Sequence, residues 1–298
     1  MNVSRMLRTL LASRRLFSNW LSAGVRYFLM KYVFVKEGSI VVMCRGRVYV
    51  LKPETYRAIV NAYYDRAFES LECSDNLYAV VSYKEWRIRF YDSSELLHDI
   101  VYENFAGGTY DDLNVAGRTV IDVGAGVGDK AILFALRGAK RVIALEPYPS
   151  LYGKALVNVG INGVEDRIVL VNAGLGRSDG EVCAEVREVP GYYPFSPDNR
   201  CDIRVRMYTL RSLVKEFSIE ENSALKMECE GCEYETVLHA DPEDLMVFKE
   251  IIIEYHNGYR ELKKLLENLG FDIEIKPIRS SSQPIEKQGY IVAKRGTK

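Results

Sequence analysis

The sequence predicts an α/β protein: a doubly wound, mostly parallel sheet with helices on both faces, preceded by a smaller α+β region. Three observations predict it. From Thr119 onward short apolar runs alternate with helical patterns, as in a parallel sheet with crossover helices. The first of those runs, Val120-Ile121-Asp122-Val123-Gly124-Ala125-Gly126-Val127-Gly128-Asp129, ends in an acid, turns on glycines and enters a helix. Before Gly107-Gly108 the pattern differs, with a basic helical start and two β-rich pieces.

From Met1 to Lys36 the ionisable side chains are Arg5, Arg8, Arg14, Arg15, Arg26, Lys31 and Lys36, and no acid precedes Glu37. Leu7, Leu10, Leu11, Leu16, Phe17, Trp20, Leu21, Val25, Phe28 and Leu29 recur at helical spacing, which predicts an amphipathic helix. Arg14, Arg15 and Arg26 interrupt every apolar stretch, so a secretory signal and a transmembrane helix both fit poorly. The apolar face is expected to pack on the larger domain that follows. The alternatives are peripheral contact with an anionic membrane surface, a basic arm that docks substrate, or an organellar presequence.

Ser39 to Leu51 and Leu77 to Tyr91 read as β-rich pieces flanking a helical run near Glu54 to Leu71. A short helix near Ser94 to Glu103 leads to the glycine pair, a joint between an accessory region, 1–107, and a larger domain, 108–298. In that domain strands are expected at 119–124, 141–146, 167–172, 181–186, 202–207, 225–229 and 250–255. Helices are expected at 128–137, 149–159, 210–217, 234–239 and 259–269, and Phe271 to Lys276 with Tyr290 to Lys294 reads as a hairpin.

Composition sets bounds. A chain of 298 residues has room for one large domain and a smaller one. With 48% hydrophobic and 27% charged residues it is neither disordered nor collagen-like, and a net charge of -1 gives no global reason to expect nucleic acid. The six cysteines form no dense framework, which suits a reduced, cytoplasmic protein. Cys229 and Cys232 form a C-x-x-C without a second pair, and His98, His239 and His256 show no metal spacing. Both cysteines therefore read as small apolar fillers, with a disulfide in a thermophile's cytoplasm as the alternative.

The glycine turn carries the chemistry. Without Cβ atoms, Gly124, Gly126 and Gly128 let the chain turn tightly and bring backbone N–H groups close to a ligand. Glu146 ends the next apolar run, where a carboxylate can accept both hydroxyls of a ribose. A dinucleotide fingerprint would need glycine or alanine where Asp129 stands, and Asp122 places an acid where a pyrophosphate would be repelled. A sulfonium and an ammonium group would be attracted, so the expected cofactor is S-adenosyl-L-methionine.

Thr119 to Gly128, Leu145-Glu146-Pro147, Asn158 with Asn162, Asn172-Ala173-Gly174-Leu175-Gly176 and above all Leu225-Lys226-Met227-Glu228-Cys229-Glu230-Gly231-Cys232-Glu233 resemble the FkbM-type methyltransferases. The likeness runs from about Thr109 to Lys294. The chain departs from it at Glu228, where the family usually has Asp, and at Arg211, where an acid is common after Thr-Leu. The resemblance implies a Rossmann-like class I methyltransferase with a seven-stranded sheet whose last strand is antiparallel.

Ligands of such sheets bind beyond the carboxyl ends of the strands. Along that rim lie Asp122, Gly124, Ala125, Gly126, Gly128, Glu146, Pro147, Asn172, Ala173 and Glu228 as cofactor residues, with Asn172 placed beside the adenine or serving only as a turn-former. Methylation of a hydroxyl benefits from a general base. His256, Glu228, Glu230 and Glu254 are the candidates, with Glu230 and Glu233 also suited to ordering a turn or a helix start. Glu228, Glu230, Glu254 and His256 could also ligate a divalent ion, although sequence adjacency does not establish such a site and no metal is assigned. The aromatic run Gly191-Tyr192-Tyr193-Pro194-Phe195-Ser196-Pro197 could stack on an acceptor or cover a sheet edge.

The resemblance suggests as acceptor a hydroxyl on a sugar, glycan, lipid or other small molecule. RNA methylation through the basic arm is disfavoured by the missing Asn-Pro-Pro-Tyr motif, and a non-catalytic cofactor-binding module by the intact glycine turn and Glu146.

Overall fold

The computed structural model describes residues 3–32, 38–64, 69–91, 105, 108–184, 201–278 and 283–296. The short helix expected near Ser94 and the aromatic run at Gly191 lie outside the described residues. The chain folds as two compact units, Met1–Thr109 and Tyr110–Lys298.

The first unit opens with two helices where the sequence predicts one, α1 (Val3–Leu16) and α2 (Trp20–Tyr32). The break has a tertiary cause. Ser18 N–H donates to Met43 O, while the Asn19 side chain donates to Val41 O and accepts from Met43 N–H, so these residues bind a strand instead of continuing the helix. That strand, β1 (Ile40–Cys44), pairs antiparallel with β2 (Arg47–Leu51), and α3 (Pro53–Tyr64) packs on α1. Tyr56 is fully buried and its hydroxyl donates to Ser13 Oγ at 2.8 Å. A three-stranded antiparallel sheet follows: β3 (Ser70–Cys73), β4 (Leu77–Tyr83) and β5 (Trp86–Tyr91).

The second unit is the doubly wound sheet. Its strands are β6 (Thr119–Val123), β7 (Arg141–Leu145), β8 (Ile168–Val171), β12 (Ser223–Met227), β13 (Phe248–Tyr255), β14 (Phe271–Lys276) and β15 (Gly289–Arg295). They lie in the order β14-β15-β13-β12-β6-β7-β8. Neighbours from β13 to β8 pair in parallel, and β15 enters antiparallel between β13 and β14, as the resemblance implies. Every residue of β6 and of β12 is buried, which explains their near-continuous apolar runs.

Around the sheet lie α4 (Asp129–Leu136), α5 (Pro149–Ile161), α6 (Leu210–Glu216), α7 (Cys232–Val237), α8 (Pro242–Met246) and α9 (Arg260–Asn268). Pro149 begins α5 with its φ already helical. Thr209 caps α6 by accepting Ser212 N–H at 3.1 Å. A small sheet of β9 (Gly174–Leu175), β10 (Gly180–Ala184) and β11 (Ile203–Tyr208) follows β8 in the chain. Arg211, the departure from the family pattern, pairs with Asp241 at 2.7 Å and Asp244 at 3.0 Å, tying α6 to the start of α8.

The cysteines correct the sequence expectation. All six are paired, as Cys44–Cys73, Cys183–Cys201 and Cys229–Cys232, so none is a free apolar filler. No described helix is long and apolar enough to cross a membrane.

Candidate active site

The carboxyl ends of β6, β7 and β12 meet at the glycine turn. Gly124 N–H and Ala125 N–H both donate to Leu145 O, and Glu228 N–H donates to Val123 O, so the turn is stitched to strands on either side. Gly124 has φ 74°, and a Cβ there would stand 1.9 Å from Glu228 O. Only glycine fits. Gly128 starts α4 at φ 84°, where a Cβ would come within 3.3 Å of Ala155 Cβ on α5. Asn158 on α5 steadies the turn by donating to Val127 O, and Asn162 donates to Asn158 O.

Beneath the turn lies a buried charge network that the sequence reading did not assemble. Lys226 Nζ, with no solvent exposure, sits 2.8 Å from Asp122 Oδ1 and sends hydrogen bonds to Val123 O and Gly124 O. Asp122 is equally buried, and neither of its oxygens finds a well-directed hydrogen bond among the described residues. The contact with Lys226 is therefore ionic rather than a directed bond. It also corrects the electrostatic expectation: Asp122 holds no free negative charge, because Lys226 balances it.

Lys130 Nζ lies 3.2 Å from Glu228 Oε2 and 3.6 Å from Asp129 Oδ2, and Tyr110 donates its hydroxyl to Glu228 at 2.6 Å. Burial would push Glu228 up, but the two lysines and that hydroxyl hold it down at about 2. Burial and the Glu228 charge keep Tyr110 protonated well above its ordinary range, as its donor role requires. The readable signal for this network was a lysine inside the otherwise apolar strand Ser-Ala-Leu-Lys-Met. Tyr110 gave no local signal, since its partner is 118 residues away.

Glu146 is held at the end of β7 by two backbone donors, Gly126 N–H at 2.8 Å and Tyr148 N–H at 2.9 Å. Burial raises its pKa to about 7 despite those bonds. Asn172 spends its amide on Glu146 O and Pro147 O, so it ties the end of β8 to the end of β7. Ala173, beside it, is fully buried.

The second cluster follows β12 and β13. Glu230 has φ 55° and Gly231 φ 114°, so the loop before α7 holds a non-glycine residue in the left-handed region. Glu233 orders that loop as expected, accepting Gly231 N–H at 2.9 Å with one oxygen and meeting His256 Nδ1 at 3.0 Å with the other. His256 Nε2 lies 3.4 Å from both Glu230 Oε2 and Glu254 Oε1, aligned with neither. Burial works against the imidazolium, but Glu233, Glu254 and Glu230 carry its pKa up to about 10. It is thus protonated at neutral pH. Partial desolvation raises Glu230 above the usual carboxylate range although its side chain is 48% exposed, and His256 offsets part of this. Among the described residues no group of three or more His, Cys, Asp or Glu is arranged to hold a metal ion.

Carboxylates outnumber cations here. Asp122, Asp129, Glu146, Glu228, Glu230, Glu233 and Glu254 stand against Lys130, Lys226 and His256.

This strand order, with a glycine turn after β6 and a carboxylate closing β7, defines a Rossmann-like methyltransferase fold. Residues 122–273, just over half of the chain, match the model of the methyltransferase FkbM domain. The chain belongs to that family. A ribosomal protein L11 methyltransferase of Carboxydothermus hydrogenoformans is 41% identical over 59 residues, which are 20% of this chain and 19% of that protein. The chain thus spans about a fifth of the length of this curated relative. Among solved structures, methyltransferase FkbM from Methylobacillus flagellatus is 13% identical over 67% of this chain and 54% of its own, with a TM-score of 0.41. An rRNA methylase from Streptococcus thermophilus is 13% identical over 64% of this chain and 95% of its own, with a TM-score of 0.40.

Proposed function

We propose that the chain is an S-adenosyl-L-methionine-dependent methyltransferase acting on a hydroxyl of a sugar, glycan, lipid or other small molecule. The observation that carries this is Glu146, fixed at the end of β7 by two backbone donors beside the glycine turn, in a chain of the FkbM family. A carboxylate there can accept the hydroxyls of a ribose. The residues fit the cofactor. Glu146, already oriented by two backbone donors, has lone pairs left for the ribose hydroxyls, and at Gly126 nothing stands within 4 Å of an added Cβ, so the turn is open there. Pro147 and Asn172 border the adenine side, while Ala173 is part of the core. When bound, the cofactor supplies a methyl group activated for displacement.

The protein's own part is to position the acceptor and take up its proton. Of the four candidate bases Glu230 suits this best, because partial desolvation raises its affinity for a proton while its side chain, about half exposed, stays within reach of an acceptor. Glu228, held at about 2, is a weak base, and His256, held near 10, is already protonated. His256 instead places a positive charge 3.4 Å from Glu230 Oε2.

Residues 108–298 form the catalytic domain and 1–107 the accessory region. A cytoplasmic location belongs to this reading only for a cytoplasm that sustains disulfides, because the three pairings remove the free-thiol argument for a reducing compartment. Calorimetry with S-adenosyl-L-methionine and NAD tests the cofactor. Binding of the sulfonium compound alone is expected, and binding of NAD alone would overturn the proposal. Methyl transfer to a panel of sugars, lipids and RNA then identifies the acceptor class.

A further inference from the structure

The two amino-terminal helices carry apolar residues on the wrong side. In α1 the side facing the unit's core holds Thr9, Ala12, Ser13 and Leu16, while Leu7 and Leu11 point to solvent, 57% and 52% exposed. In α2 the core side holds Ala23 and Tyr27, while Leu21, Val25 and Leu29 are 55%, 47% and 51% exposed. Successive exposed residues, Leu7 and Leu11 on α1 and Leu21, Val25 and Leu29 on α2, are four residues apart, so each exposed set forms a stripe along one helix face. A stripe of leucines left in water on both helices of a pair is not how such helices pack a core.

The charge beside these stripes has one sign. Arg8, Arg14, Arg15, Arg26 and Lys31 lie on the same two helices, and no acid precedes Glu37. Arg14 lies over the Trp20 ring and Arg8 over the Tyr64 ring, which keeps their stems against the unit and their charges at its surface.

We infer that α1 and α2 form a docking surface for an anionic membrane, with Leu7, Leu11, Leu21, Val25 and Leu29 entering the headgroup and acyl boundary and the arginines meeting lipid phosphates. The occupant follows from charge and polarity together. A symmetric second copy would bring like charges face to face. Nucleic acid would use the arginines and leave the leucines in water. An anionic bilayer satisfies both at once. No step of this depends on the cofactor or on the acceptor.

The test uses the full chain and vesicles of phosphatidylcholine alone or mixed with phosphatidylglycerol. Co-sedimentation is expected with the mixed vesicles only, weakening as salt is added. The variant Leu21→Ser, Val25→Ser, Leu29→Ser is expected to lose binding about tenfold or more while keeping its circular dichroism and melting temperature, since all three side chains are exposed. The variant Arg14→Gln, Arg15→Gln, Arg26→Gln should lose the preference for anionic lipid. The inference is overturned if the unaltered protein stays in the supernatant with anionic vesicles, or if both variants bind as it does. Loss of a dimer in sedimentation without vesicle binding would assign the leucines to a second copy instead. Retention of RNA without vesicle binding would assign the arginines to nucleic acid. Either outcome also overturns the inference.

Discussion

Lys226 Nζ lies 2.8 Å from Asp122 Oδ1, and neither side chain is exposed to solvent. The two residues occupy paired positions on adjacent parallel strands, so the register of β12 on β6 creates the contact. From there Lys226 also fastens the first residues of the glycine turn through Val123 O and Gly124 O.

Removing one member of such a pair leaves the other charged and buried. Lys226→Met is expected to destabilise the protein by about 3–5 kcal/mol, read as the midpoint of urea unfolding. The double variant Asp122→Asn, Lys226→Met should recover part of that loss. A single variant as stable as the parent would show that the pair holds nothing together.

Gly124→Ala forces a Cβ into Glu228 O and strains a left-handed residue. A stability loss of about 1–3 kcal/mol is expected by overpacking alone. Cofactor affinity by calorimetry should fall more steeply than for Gly163→Ala, where no atom stands within 4 Å of the added carbon.

Glu146 titrates near 7 because it is buried, and its ionised form is the better acceptor for ribose hydroxyls. Affinity for the cofactor should therefore fall as pH is lowered from 7, by at most about tenfold per unit. Glu146→Gln should bind weakly at every pH and show no such slope. The same burial opposes folding, because the proton is held more tightly in the native protein than in the unfolded chain. That penalty is absent below the ordinary 4.5 and complete above about 7.

His256 has its pKa raised from 6.5 to about 10 by Glu233, Glu254 and Glu230 against the cost of burial. Its contribution to stability is fully present below 6.5 and is lost as pH rises through 10. His256→Gln should flatten that decline in a series of thermal melts. Glu230→Gln should instead leave stability nearly unchanged and lower kcat by about 10² to 10⁴-fold, with KM moving little.

Reduction is the simplest perturbation of the first unit. Cys44–Cys73 closes a span of 29 residues, and its loss in Cys44→Ser, Cys73→Ser should cost roughly 2–4 kcal/mol. Mass spectrometry under alkylation checks the pairing directly; six alkylated thiols in the untreated protein would refute it.

The elements of the second unit were legible because their signals are local. Strand and helix alternation and the glycine turn each declare themselves within a few residues. Glu146 was placed at the end of its strand by counting along the chain. Asn172 could be read as a ligand or a turn-former, and its amide bonds to Glu146 O and Pro147 O give it a place in the turn. The apolar residues of the amino terminus gave a helical period but not the break at Ser18 and Asn19, which follows from bonds to a strand more than twenty residues away.

What the sequence determined by itself was the order of elements, the glycine turn and the residue types at the strand ends, since backbone sterics and hydrophobic period act over short distances. Tertiary structure decided which charges neutralise one another. Asp122 looked like an open anion until β12 brought Lys226 beside it, and His256 looked like a base until three carboxylates surrounded it. Coulomb interaction and burial depend on distance in space, and in this fold the partners are brought together only by strand register and by the loop before α7.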